Sequence, residues 1–123
     1  MARVVHFEIP VDDPERSRSF YRELFSWEVA GDADEGYWLA TTGAEAEPGI
    51  NGALINRGAV HRTPVLVVQV VSIDETLASV EAAGGRVVHG KRTIPRIGHS
   101  AYVEDSEGNV VGIFQPDGSA SAG

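Results

Sequence analysis

No cysteine occurs in the 123 residues, so disulfides, thiolate metal sites and a cysteine nucleophile are excluded. Long apolar runs are missing as well. Nothing approaches the ~20 consecutive apolar residues that a membrane-spanning helix needs, and the N-terminus lacks a signal-peptide pattern. The expectation is a cytoplasmic protein with no membrane partner. Positive charge is scarce: ten Lys and Arg stand against eighteen Asp and Glu, a formal net charge of −8. Phosphate backbones would be repelled by that balance, which argues against nucleic acid as a partner. Beyond this the acidity speaks to solubility rather than to fold. No serine nucleophile elbow, phosphate-binding glycine loop or paired-carboxylate spacing stands out, and Gly84-Gly85 reads as a helix stop.

Hydrophobic content is 42%, and a chain of this length buries roughly 65–70% of its unfolded surface, enough for one domain without staples. The organising stretch is VVHFEIPVDDPERSRSFYRELFSW, from Val4 to Trp27. Its first residues alternate, with Val5, Phe7 and Ile9 on one face of a strand and Val4, His6 and Glu8 on the other. An imidazole and a carboxylate therefore point into the same space. Asp13-Pro14 reads as a helix N-cap followed by proline at the first helical position. Ser17, Phe20, Tyr21, Leu24 and Phe25 form one apolar stripe, with Arg16, Arg18, Arg22 and Glu23 largely off it.

Glu28 to Gly36 reads as an acidic connection, Tyr37 to Thr42 as a strand, Ala44 to Gly49 as a loop, and Ile50 to Asn56 as a strand weakened at Gly52. Arg57 to Pro64 is the linker candidate. The pattern then restarts: a strand at Val65 to Val71, an N-cap at Ser72, and a helix over DETLASVEAA with Leu77 and Val80 inward. A strand starts at Arg86 to His89, followed by a basic loop with Lys91, Arg92 and Arg96, read as a solvated rim. Ser100 to Glu104 and Val110 to Gln115 are strands joined by a hairpin turn at Asp105 to Asn109, with Gly108 placed for a positive φ. One helix per group of strands cannot make an alternating doubly wound sheet, so the class is α+β.

The order of parts, with HFEIPVDDPERSRSFYRELFSW and YVEDSEGNVVGIFQ, resembles the vicinal oxygen chelate superfamily, which includes glyoxalase I, bleomycin-resistance proteins and extradiol dioxygenases. The resemblance implies two βαβββ modules in a cup-shaped eight-stranded mixed sheet with helices outside, often as a homodimer, and a ligand site inside the cup. On this pattern the domain covers residues 1–116, with module one over about 1–57, a linker at 58–64 and module two at 65–116. The tail, 117–123, is too polar and small to order itself. Ser26 departs from the family pattern, since many relatives carry glycine after the first helix; a left-handed serine there costs about 1 kcal/mol.

Metal-using relatives place one ligand on each of four strands. The first falls on His6; its counterpart in the second module is Val65, the ligand after the hairpin falls on Gly112, and the remaining one on Gly52 or Ala53. Only His6 can coordinate, whereas closed sites use four protein ligands and catalytic sites typically three. No cofactor is expected, with a divalent metal as the alternative. His61, His89 and His99 read as solvated or hydrogen-bonded structural histidines, with His99 sharing parity with Ala101 and Val103. His6 and Glu8 are the candidate catalytic pair, and His6, Glu8, Trp38, Tyr102 and Phe114 the candidate ligand-binding residues, with Tyr37 adding aromatic surface. The resulting expectation is a metal-free small-molecule binding protein that sequesters an antibiotic or metabolite. The alternative is a glyoxalase-like lyase or isomerase, or a dioxygenase, using His6 and Glu8 with a divalent metal.

Overall fold

The computed structural model describes residues 2–121, in which eight strands and two helices follow one another. In chain order these are β1 (Arg3–Val11), α1 (Pro14–Phe25), β2 (Glu28–Asp32), β3 (Tyr37–Thr41) and β4 (Gly52–Asn56), then β5 (Val65–Gln69), α2 (Ile73–Ser79), β6 (Arg86–Ile94), β7 (Gly98–Glu104) and β8 (Val110–Pro116). The class is α+β and the βαβββ order occurs twice. The chain divides into two compact units, Val5–Val65 and residues 66–121 together with 2–4.

In the first unit the strand order is β2-β3-β4-β1, with β1 parallel to β4 and the other pairs antiparallel. Alternation along β1 sends Ile9 and Val11 into a core with Trp38, Leu54, Val29 and the Tyr21 ring of α1. A fully buried leucine such as Leu54 contributes about 1.5–3 kcal/mol. The helix starts where expected: Pro14 occupies the first turn, and the Asp13 carboxylate accepts the Arg16 N–H at 3.1 Å. Its end is also local. Ser26 turns left-handed at φ 61°, its N–H donates to the Arg22 carbonyl at 2.9 Å, and the Trp27 N–H donates to the Tyr21 carbonyl at 3.3 Å.

The apolar stripe of α1 is only partly used. Tyr21 stacks on Trp27 at 4.7 Å, but Phe20, Leu24 and Phe25 remain more than half exposed. The acidic connection after the helix is a strand: Glu28–Asp32 pairs antiparallel with Tyr37–Thr41. As an outermost strand, β2 takes its hydrogen bonds from one neighbour and needs little apolar content of its own, so periodicity does not reveal it.

The second unit has the order β5-β8-β7-β6, with β5 parallel to β8. Ser72 caps α2 by accepting the Glu75 N–H at 3.1 Å, and Ile73 is fully buried with Ala101, Val103 and Ile113. Leu77 and Val80 pack against that core, although the regular helix ends at Ser79. The turn between β7 and β8 is held by the Asp105 carboxylate, which accepts the Glu107 and Asn109 backbone N–H groups at 2.8 and 2.9 Å. Those bonds hold its carboxyl below the ordinary value.

Two expectations for this half are corrected. Lys91 and Arg92 lie on β6 rather than in a loop, because β6 continues past two irregularities in its register to Ile94. Lys91 pairs there with Asp74 at 3.2 Å, while Arg96 sits in the tight turn that follows, at φ 66°. The first residues of the tail are tied down: Asp117 donates its N–H to the Ile97 carbonyl, the Arg96 N–H donates to the Ala120 carbonyl, and Ala120 is buried. Residues 122–123 lie outside the described residues.

Ser26→Gly removes the left-handed penalty at the end of α1. The expected gain is about 1 kcal/mol, a rise in Tm of roughly 3 °C by calorimetry.

Candidate functional site

Because Ile9 and Val11 face the core, His6 and Glu8 stand on the opposite face of the first unit's sheet. Glu8 lies beside Ala53 of β4 in the parallel register, and Ala53 lies beside Leu39 of β3. Gly52 belongs to the other face: a Cβ there would sit 2.5 Å from the Phe7 ring. The family position left open between Gly52 and Ala53 is therefore Ala53 on the His6–Glu8 face.

His6 and Glu8 each have a distinct partner. The His6 Nε2 and the Tyr37 hydroxyl share a hydrogen bond of 2.7 Å, and the two rings lie nearly parallel. Burial pushes the His6 imidazole below its ordinary value, with the Glu8 charge opposing in part. At neutral pH the ring is uncharged. Glu8 is only 5% exposed, and its Oε1 lies 2.7 Å from the Nε2 of His61, itself 7% exposed.

His61 reaches this place because the loop after β4 is folded back on itself. The Arg57 guanidinium bonds the Asp12 carboxylate at 3.0 Å and the Arg62 carbonyl at 2.7 Å, and the Arg57 N–H donates to the Val11 carbonyl at 3.0 Å. Of the two readings given for His61, solvated or hydrogen-bonded, the structure shows the second, with Glu8 as partner. No local signal marks it, since its partner lies 53 positions away.

Trp38, expected among the ligand-binding residues, is on the core face of β3 at 3% exposure. Its neighbour Tyr37 faces His6 instead. Tyr102 and Phe114 belong to the second unit. Tyr102 shares the face of Gly112, since a Cβ at Gly112 would meet the Tyr102 ring at 3.4 Å and Val67 Cγ2 at 3.0 Å. Phe114 lies on the same face of β8, two residues on. His99 follows Ala101 and Val103 to the side of the Ile73 core, where it bonds Thr93 Oγ1 at 3.0 Å and Asp117 at 3.2 Å. His89 bonds the Gly90 carbonyl and is exposed.

The donor set does not fit a divalent ion at the family positions. Val65 and Ala53 are buried and offer no donor, and Gly112 has no side chain; a Cβ there would lie 3.0 Å from Val67 Cγ2 and 3.4 Å from the Tyr102 ring, a tight fit. Among the described residues no group of three His, Asp or Glu side chains is placed to hold a metal. What the first unit presents is two hydrogen-bonded pairs: a neutral imidazole with a phenol, and a carboxylate with a second imidazole.

Residues 3–113 match the family model described as Glyoxalase/Bleomycin resistance protein/Dioxygenase superfamily. The chain belongs to that superfamily. Solved members of similar fold include methylmalonyl-CoA epimerase from Mycobacterium tuberculosis, at 16% identity and TM-score 0.61, covering 92% of this chain and 87% of that one. A methylmalonyl-CoA epimerase in complex with methylmalonyl-CoA and NH4+ gives 14% identity and TM-score 0.67, with 98% and 99% covered. A superfamily member from Vibrio splendidus 12B01 gives 17% identity and TM-score 0.66, with 95% and 100% covered. At these identities the likeness is one of fold. A search of curated proteins finds no match by sequence. No helix among the described residues is long and apolar enough to cross a membrane.

Two outcomes follow from the pairs. His61→Ala leaves the Glu8 carboxylate short of a donor, and urea denaturation is expected to show a loss of about 1–3 kcal/mol. His6 is expected to titrate below its ordinary value of 6.5 by NMR. Its unfolded form binds a proton more readily than its folded form, so its share of stability is complete above pH 6.5 and lost as pH falls toward the folded value. His6→Gln is expected to remove that part of the pH dependence.

Proposed function

We propose that this superfamily member binds a small organic molecule on the His6–Glu8–Tyr37 face of its first unit, without a divalent ion. The role that fits is sequestration of an antibiotic or metabolite. One observation carries the reading: every polar side chain named on this face is braced by another, and the family's other ligand positions hold Val65, Ala53 and Gly112. A neutral imidazole and a phenol in a fixed arrangement recognise a neutral polar group by hydrogen bonding, at little cost in ordering.

A second reading has one observation in its favour. Burial keeps His6 uncharged at neutral pH, and a neutral imidazole steadied by Tyr37 is suited to accept a proton from an acidic carbon. On that reading the chain is a lyase or isomerase, and epimerisation, as named for its epimerase neighbours, is the reaction to look for. Incorporation of solvent deuterium into an unreacted ligand, abolished by His6→Ala, separates catalysis from binding.

A thermal-shift screen of antibiotics and metabolites tests the main proposal. A ligand at a hundred times its Kd adds about 2.7 kcal/mol, a shift of several degrees. His6→Ala and Tyr37→Phe are expected to weaken any hit about tenfold, the effect of one lost hydrogen bond in a dry site. Affinity unchanged in both, but lost in Tyr102→Ala, would place the ligand elsewhere. Elemental analysis of protein prepared without chelator checks the absence of an ion; one Ni, Zn, Mn or Fe per chain overturns that part.

A further inference from the structure

At the C-terminal end of α1 the first unit holds a cavity of about 430 Å3 lined by Arg18, Arg22, Ser26, Trp27, Glu28 and Val29. It lies on the helix side of the sheet, where Trp27 packs against Phe7 and Tyr21, away from His6 and Glu8. Its polar lining is mostly donors. Arg18 has one loose ion pair, 3.6 Å to Glu15, and its Nε is buried with no hydrogen-bond partner. The Arg22 side chain enters no ion pair or hydrogen bond among the described residues, nor does the Trp27 indole N–H or the Ser26 hydroxyl.

Arg18 and Arg22 are four residues apart on one helix, the spacing at which like charges repel. A cation in the last turn complements the helix dipole, but that accounts for Arg22 alone. Two carbonyls near the helix end are engaged, since the Ser26 and Trp27 N–H groups donate to Arg22 and Tyr21. The negative end of the helix dipole opposes an anion here, so the two guanidiniums have to outweigh it. Against two guanidiniums the lining carries a single carboxylate, Glu28.

We propose that this cavity binds the phosphate group of a small soluble molecule, held between the Arg18 and Arg22 guanidiniums. The Trp27 indole N–H and the Ser26 hydroxyl complete the donor set. A guanidinium fork meets two oxygens of a tetrahedral oxyanion at once, and Arg18 would engage side-on, turning its unpartnered Nε outward. Donors arriving from several lining residues suit three terminal oxygens better than the two of a carboxylate. The net charge of −8 works against a polyanion, whose many phosphates meet the whole surface, far more than against one phosphate at close range.

The probe is inorganic phosphate, titrated at constant ionic strength against chloride, with tryptophan fluorescence and calorimetry as readouts. Trp27 lines the cavity and Trp38 is buried in the core, so a saturable fluorescence change is expected that disappears in Trp27→Phe. Arg18→Met and Arg22→Met are each expected to weaken calorimetric binding about tenfold, the effect of losing a charge-assisted hydrogen bond. Arg16→Met removes the same charge from an exposed position on the same helix and is expected to leave binding unchanged. If Arg18→Met fails to fold by circular dichroism, Arg22→Met, at an exposed position, still decides. No saturable binding, a signal that persists in Trp27→Phe, or an equal loss in Arg16→Met overturns the proposal.

Discussion

A carboxylate that leaves water must find donors, because an unpaired buried charge costs more than the fold can spare. Glu8 lies beside Ala53 of β4, which offers no side-chain donor, and a donor reaches it from outside the sheet. It comes from His61, and this requirement governs the course of the loop after β4. The segment from Arg57 to Pro64 has the composition of a solvated linker, yet it is folded back by Arg57, which holds Asp12, Val11 and Arg62 together. A polar demand made on β1 thus shapes a loop 53 positions later. The same arrangement leaves His6 to Tyr37, and the face acquires two braced pairs instead of one free acid and one free base.

What the sequence made legible is what local chemistry decides. Asp13-Pro14 and Ser72 announce helix starts because capping is settled within a turn. Gly108 announces a hairpin because only a few residues accept a positive φ there. The missed strand β2 and the full length of β6 are outermost strands, supported by hydrogen bonds from β3 and β7 that no pattern in their own residues records. The α1 stripe was read in full, but a stripe says which residues share a face, not how much of that face is covered. Only the Tyr21 end reaches the core.

The site was legible to the same depth. Alternation along β1 placed His6 and Glu8 together on one face, and the structure keeps them there. Alternation along β3 separates Tyr37 from Trp38 as well, but parity alone does not say which of the two faces the core. Ala40, the small buried residue two positions on from Trp38, marks Trp38 as the core member. His61 carried no signal, because a contact between a strand and a distant loop has no period to read. His99 shares parity with Ala101 and Val103 and follows them to the side of the Ile73 core, a side that parity alone does not name.

The altered ligand positions are better understood as replaced than as merely lost. At Gly112 Val67 and Tyr102 pack close to where a side chain would start, and a Cβ there would press on both. At Ala53 the small side chain is fully buried beside Glu8, and the carboxylate is already committed to His61. Restoring one donor at either place would put a charge where packing is dense and partners are spent, and crowding of that kind costs roughly 1–3 kcal/mol before any ion is bound. On the binding reading proposed above, recognition on the face of the first unit rests on groups that are neutral or already paired, which act through direction and fit rather than through net charge.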